Sequence, residues 1–196
     1  MARRRVGILI SGRGSNMAAL IEAARAPDYP AEIALVISNE PHAAGLTFAA
    51  AQGIATAVVN HRDYASRDAF GEPLDAKLRA ADIDLVCLAG FMRLLAAPFV
   101  ERWRGRMLNI HPSLLPTFKG LDTHARALAA GAKVHGCTVH FVVPELDSGP
   151  VILQAEVPVM ANDDEKSLAA RVLKEEHRLY REALRLVAEG RVTIGR

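Results

Sequence analysis

Cysteine is scarce in this 196-residue chain, which has only Cys87 and Cys137. Two thiols, one in an apolar run and one in a strand-like run, do not make a disulfide framework; reduced, buried side chains in the cytoplasm are expected. Long apolar runs are missing too. The five-residue run Val6-Gly7-Ile8-Leu9-Ile10 follows three arginines but stops at Ser11-Gly12, too soon for a signal peptide. No stretch reaches the roughly 18 apolar residues of a membrane span. Charge of one sign is not in excess either. The formal net charge is +2, yet Arg3, Arg4, Arg5, Arg191 and Arg196 sit at the ends, and the other 19 of the 24 basic residues meet 22 acidic ones, leaving the body at −3. That argues against a nucleic-acid face, which needs a basic stripe with aromatic partners. A small anion needs only one local site. Repeats, low-complexity segments and linkers are absent, so one domain over residues 1–196 is expected, with a sizeable core.

With 51% apolar and 23% charged residues, the composition is that of an ordinary soluble globular protein. Short β-rich runs alternate with helical patterns in the first half. The patterning predicts strands over 5–10, 32–37, 55–59, 84–88 and 106–110. Helices are expected over 16–26, 43–52, 66–80 and 97–103, the third with Ser66 as its N-cap. The second half changes character: a helix over 124–130, longer strands over 134–143 and 151–158, and a closing amphipathic helix over 164–189. This order implies an α/β fold with a doubly wound, mostly parallel sheet, flanked by helices, that binds ligands at the carboxyl ends of its strands.

The segment Asn109-Ile110-His111-Pro112-Ser113-Leu114-Leu115-Pro116 ends one of those strands. Residues two apart on a strand share a face, so Asn109 and His111 can aim at one target. The prolines then stiffen the loop that follows. An amide donor beside a titratable donor suits a carbonyl that becomes an oxyanion under nucleophilic attack.

Ser11-Gly12-Arg13-Gly14-Ser15-Asn16 leaves the first strand and opens the first helix. Glycines admit an anion close to the backbone, and free N–H groups at the helix start point towards it. Met17 stands where a dinucleotide fingerprint has its third glycine, and the Gly-Lys-Ser/Thr of a P-loop is missing. A phosphate monoester held by Gly14, Ser15 and Asn16, through backbone and side-chain donors, fits better. The apolar turn Leu88-Ala89-Gly90-Phe91-Met92-Arg93-Leu94-Leu95 could wall a pocket for a flat heterocycle. Asp147, before Ser148-Gly149-Pro150, has the charge to favour and orient an imidazolium at His111. His135, Cys137 and His140 lie on both faces of one strand, so no metal site is expected.

SGRGSN at 11–16, LAGFMRLL at 88–95, NIHPSLLP at 109–116 and HFVVPELDSGPVI at 140–152, in this order, resemble the phosphoribosylglycinamide formyltransferase family of folate-dependent purine-synthesis enzymes. The likeness covers nearly the whole chain. It implies a nucleotide-binding half over 1–110 and a folate and catalytic half over 111–196. It also implies a catalytic trio of Asn109, His111 and Asp147, and a nucleotide phosphate on Gly14, Ser15 and Asn16. Glu176 resembles the glutamate that reaches the glycinamide substrate. The folate would meet Arg67, Met92, Arg93, Leu94, Leu95, Asn109, Val143, Pro144, Glu145, Leu146 and Asp147. The implied reaction moves the formyl group of 10-formyltetrahydrofolate, a cosubstrate, to the amine of phosphoribosylglycinamide, without a metal. The implied partners are these small molecules, not nucleic acid or membrane, for a monomer or homodimer in the cytoplasm. Arg13 and Pro144 depart from the family pattern, where a smaller polar residue and an acidic residue are usual.

Two other folate enzymes have similar catalytic domains. Methionyl-tRNA formyltransferase would add a C-terminal nucleic-acid-binding domain, and formyltetrahydrofolate deformylase usually has an N-terminal regulatory domain. Neither extension is visible in the chain, and the deformylase has no use for a phosphate loop. A nucleotide-binding regulatory module would explain the glycine loop but not the Asn-x-His and Asp constellation.

Overall fold

Alternating Val6, Ile8 and Ile10 against Leu9, all fully buried, make β1 (Arg4–Ile10) a strand covered on both faces. In this computed structural model, which describes residues 2–194 and so leaves Arg196 outside, β1 lies inside a seven-stranded sheet. The order is β3-β2-β1-β4-β5-β6-β7, with β2 at Ala31–Ser38, β3 at Ala55–Val58, β4 at Leu85–Leu88, β5 at Met107–His111, β6 at Val134–Phe141 and β7 at Val151–Pro158. The first five strands pair in parallel, and β6 and β7 antiparallel. The sheet is therefore mostly parallel, as the alternating pattern implies. Chain order reverses where β1 has β2 on one side and β4 on the other, which opens a crevice at their carboxyl ends.

Helices cover both faces. On one, α1 (Ser15–Ala24) and α6 (Glu165–Ala188) pack Met17, Leu20, Leu179 and Leu184 onto Val6, Ile8, Cys87 and Leu108. On the other, α3 (Arg67–Ala80) and α4 (Ala97–Arg102) bring Phe70, Leu74, Phe99 and Val100 against Leu9, Ile37 and Val86. The shorter α2 (Ala44–Ala51) and α5 (Thr123–Ala129) complete the set. The buried Tyr180 hydroxyl of α6 shares its proton between Leu88 O (3.0 Å) and Leu108 O (3.1 Å), pinning β4 and β5 just before the turns they carry.

Most boundaries fall within one or two residues of expectation. Helix α1 stops at Ala24, not 26, because the residue before Pro27 is driven out of helical geometry. Strand β5 runs one residue further than expected and makes His111 its last member. Strand β6 ends at Phe141 rather than 143, after a register shift between Val139 and His140. A 3₁₀ turn at His61–Asp63, capped by Asn60, has no counterpart in the periodicity.

Candidate active site

Asn109 faces His140 across the β5–β6 ladder. The Nδ1–H of His140 donates to Phe141 O at 2.9 Å, which leaves Nε2 as an acceptor for the Asn109 amide at 3.3 Å. Burial holds the His140 imidazole below its ordinary value, against the opposing pull of its backbone bond and of Asp147. A neutral ring with Nε2 unprotonated is thus the form that orients Asn109.

His111 is buried, and its Nε2–H donates to Phe118 O at 2.9 Å. Its Nδ1 faces Asp147 Oδ2 at 3.5 Å, a contact between two side chains that water scarcely reaches. Asp147 holds that position from a left-handed turn (φ +47°), a conformation aspartate tolerates better than most residues. Its Oδ2 accepts the Gly120 N–H at 2.9 Å, and its Oδ1 lies 3.8 Å from His140 Nε2. Lys119 adds a bond to Ser148 Oγ at 2.6 Å. The loop after β5 is thereby fastened to the loop after β6, with the carboxylate between two imidazoles.

This cluster opens into a mostly apolar cavity of about 600 Å³. Met92, Arg93, Leu94 and Leu95 line one side, Val143, Pro144, Leu146 and Asp147 another, and Asn109, His111 and His140 the floor. Two expected folate residues are not in that lining. Arg67 is the first residue of α3, and Glu145 is exposed in the loop between Pro144 and Leu146. A second cavity of similar volume beside α3 and α4 is lined by Asp75, Arg79 and Arg102, whose charges already pair with one another.

The first loop has the expected backbone. Gly14 adopts φ +70° ahead of α1, and the first intrahelical bond is Ala18 N–H to Gly14 O, so the N–H groups of 15–17 are available to an anion. The Asn16 side chain makes a contact that the sequence does not predict. Its Nδ2 donates to Glu176 Oε2 at 2.7 Å, and its Oδ1 is buried without a partner. One of its two Nδ2 protons thus serves the glutamate, which leaves the second, the backbone N–H groups and the exposed Ser15 as donors at this loop. Burial raises the Glu176 carboxyl above its ordinary range, and the Asn16 bond only partly offsets this.

A family model described as formyl transferase matches residues 4–184. Over 185 residues the chain is 46% identical to phosphoribosylglycinamide formyltransferase of Escherichia coli (strain K12), covering 94% of this chain and 87% of that one. The chain belongs to this family. A phosphoribosylglycinamide formyltransferase structure from Brucella melitensis superposes with a TM-score of 0.91 at 55% identity, covering 97% of this chain and 98% of that one. Glycinamide ribonucleotide transformylase 1 from Symbiobacterium toebii gives 0.96 at 48% identity, covering 98% and 91%. The human trifunctional purine biosynthetic protein adenosine-3 is 51% identical over 193 residues, 98% of this chain, but the chain spans only 19% of its length.

The pocket contains one residue whose role sequence reasoning passed over. The sequence offers His140 only as a metal ligand, yet it holds Asn109. Its signal lies in strand register, which two separate motifs do not reveal. Among the described residues, no group of three His, Cys, Asp or Glu side chains is placed to hold a metal ion, and no helix is long and apolar enough to cross a membrane.

Proposed function

We propose that this chain transfers the formyl group of 10-formyltetrahydrofolate to the amine of 5′-phosphoribosylglycinamide, giving phosphoribosyl-N-formylglycinamide and tetrahydrofolate. The observation that carries the reading is the Asn109, His111 and Asp147 cluster at the floor of an apolar cavity, with a helix-start anion loop at the same end of the sheet. The pterin lies in the cavity against Met92–Leu95, Val143, Pro144, Leu146 and Asp147, and the nucleotide phosphate on the N–H groups after Gly14. Glu176, held by Asn16, receives the glycinamide end.

The amine nitrogen attacks the formyl carbon and a C–N bond forms. The carbonyl oxygen becomes an oxyanion, met by the Asn109 amide and by the Nδ1–H of a His111 imidazolium, which shares that proton with its long 3.5 Å contact to Asp147, whose charge balances the ring. The bond from the formyl carbon to N10 then breaks, and the proton lost by the attacking amine ends on N10. Apolar walls keep water from the formyl group and strengthen these electrostatic contacts.

The test is formyl release from 10-formyltetrahydrofolate with and without phosphoribosylglycinamide. Release should require the nucleotide, and the riboside lacking phosphate should be a far poorer acceptor. His111→Ala should lower kcat by about 10²–10³ with a modest effect on KM, the usual loss for one oxyanion donor. Release without any acceptor amine makes the chain a deformylase instead.

A further inference from the structure

Residues 91–95 form much of the cavity wall, yet among the described residues they make a single hydrogen bond: the Met92 N–H donates to Ser11 Oγ at 2.7 Å. Ser11 is the first residue after β1, directly before the phosphate loop, and its own N–H donates to Gly90 O at 3.2 Å. A hydroxyl has one proton and two lone pairs. Here the proton goes to Oδ1 of buried Asn39 at 2.5 Å, which turns a lone pair towards Met92. Asn39 is itself braced, its Nδ2 lying 3.1 Å from His61 Nδ1, and the adjoining Glu40 carboxylate takes two bonds from Arg62 at 3.1 and 3.2 Å. Ser11 therefore stands astride the crevice between β2 and β4, with the phosphate loop on its chain and the cavity wall on its side chain.

We propose that Ser11 is a positioning residue that ties the wall of the formyl donor's cavity to the loop that receives the nucleotide phosphate, with Asn39 fixing the direction of its hydroxyl. The inference rests on the two-substrate reading above. A phosphate seated on the N–H groups after Gly14 fixes the backbone from residue 12 onward, and with it Ser11. Ser11 then holds Met92, so each ligand tightens the other. Such coupling is reciprocal in free energy.

Calorimetric binding of tetrahydrofolate, with and without phosphoribosylglycinamide, tests this in wild type, Ser11→Ala and Ser11→Thr. In wild type the nucleotide should tighten tetrahydrofolate binding. Ser11→Ala should weaken it about 2- to 10-fold, the worth of one hydrogen bond, and abolish most of the tightening. In turnover, folate KM should rise more than kcat falls. Ser11→Thr, which keeps the hydroxyl, should restore both. An undiminished folate affinity in Ser11→Ala, an equal loss in Ser11→Thr, or a wild type whose two ligands bind independently overturns the inference. A wild type that transfers formyl while failing those arms leaves the functional reading standing. A wild type that binds neither compound removes both.

Discussion

Asp147 faces two imidazoles, and the structure gives them different duties. His111 offers Nδ1 to the carboxylate at 3.5 Å, while His140 keeps an unprotonated Nε2 for Asn109. Because burial lowers the His140 value, the ring stays neutral until the pH falls below the ordinary histidine range near 6.5. Protonation then turns Nε2 into a donor and releases the Asn109 amide. The kcat profile should therefore show an acid limb below about pH 6.5. His140→Gln, which keeps an acceptor but cannot titrate, should flatten that limb, and His140→Ala should lower kcat about fivefold, one hydrogen bond's worth. An acid limb unchanged in His140→Gln would assign it to another group. At this scale the sequence was half legible. Asn109 and His111 could be paired from strand alternation alone, whereas His140 and Ser11 act across ladders and crevices that no local pattern encodes.

Among the elements, α2 bears on the loop before α1 through its backbone. Gly45 in its first turn donates its N–H to Gly12 O at 3.1 Å. A Cβ at that position would lie 2.5 Å from Ile10 Cδ1, 3.0 Å from Gly12 O and 3.2 Å from Arg13 O. The Ile10 methyl can swing aside, but the two carbonyls belong to the loop proposed to hold the phosphate and would have to move. Gly45→Ala should therefore cost about 1–3 kcal/mol of stability and raise the KM for phosphoribosylglycinamide several-fold more than the KM for folate. A denaturant melt with two-substrate kinetics checks both, and equal changes in the two KM values would disprove the link. The elements themselves were readable because apolar period separates strand from helix. Their ends were less so, since Pro27, the β6 register shift and the Asn60 cap act through geometry that hydrophobicity does not record.

For the whole molecule, the histidines set an acid limit. Burial lowers His124, His140 and His177, and takes His135 down to about 4. Each is kept neutral by the fold and titrates near 6.5 once unfolded. Their contribution is thus fully present above about pH 6.5 and is lost as the pH falls through their folded values. Glu176, raised by burial, opposes this as a single group. Urea unfolding at pH 7, 5.5 and 4.5 should give steadily falling stability, and a flat profile would contradict it. The fold class and the family were legible in the chain because several motifs recur in a fixed order. The Ser11 contact across the crevice, from Asn39 to Met92, was not.

The pairing of Asn16 with Glu176 bridges 160 positions, and this has a consequence for biosynthesis. The loop before α1 leaves the ribosome 160 positions ahead of its glutamate partner, and the α6 cover over Met17 and Leu20 emerges with that partner. At about 5–20 residues per second, the nascent chain carries that uncovered apolar face for roughly 8–30 s. During that interval β1, β2 and β4 can pair, but neither the Asn16–Glu176 contact nor the core face beneath α6 can close. Chaperone demand and degradation of stalled chains should therefore concentrate on this face, and competence for the nucleotide should appear only once the final helix has emerged.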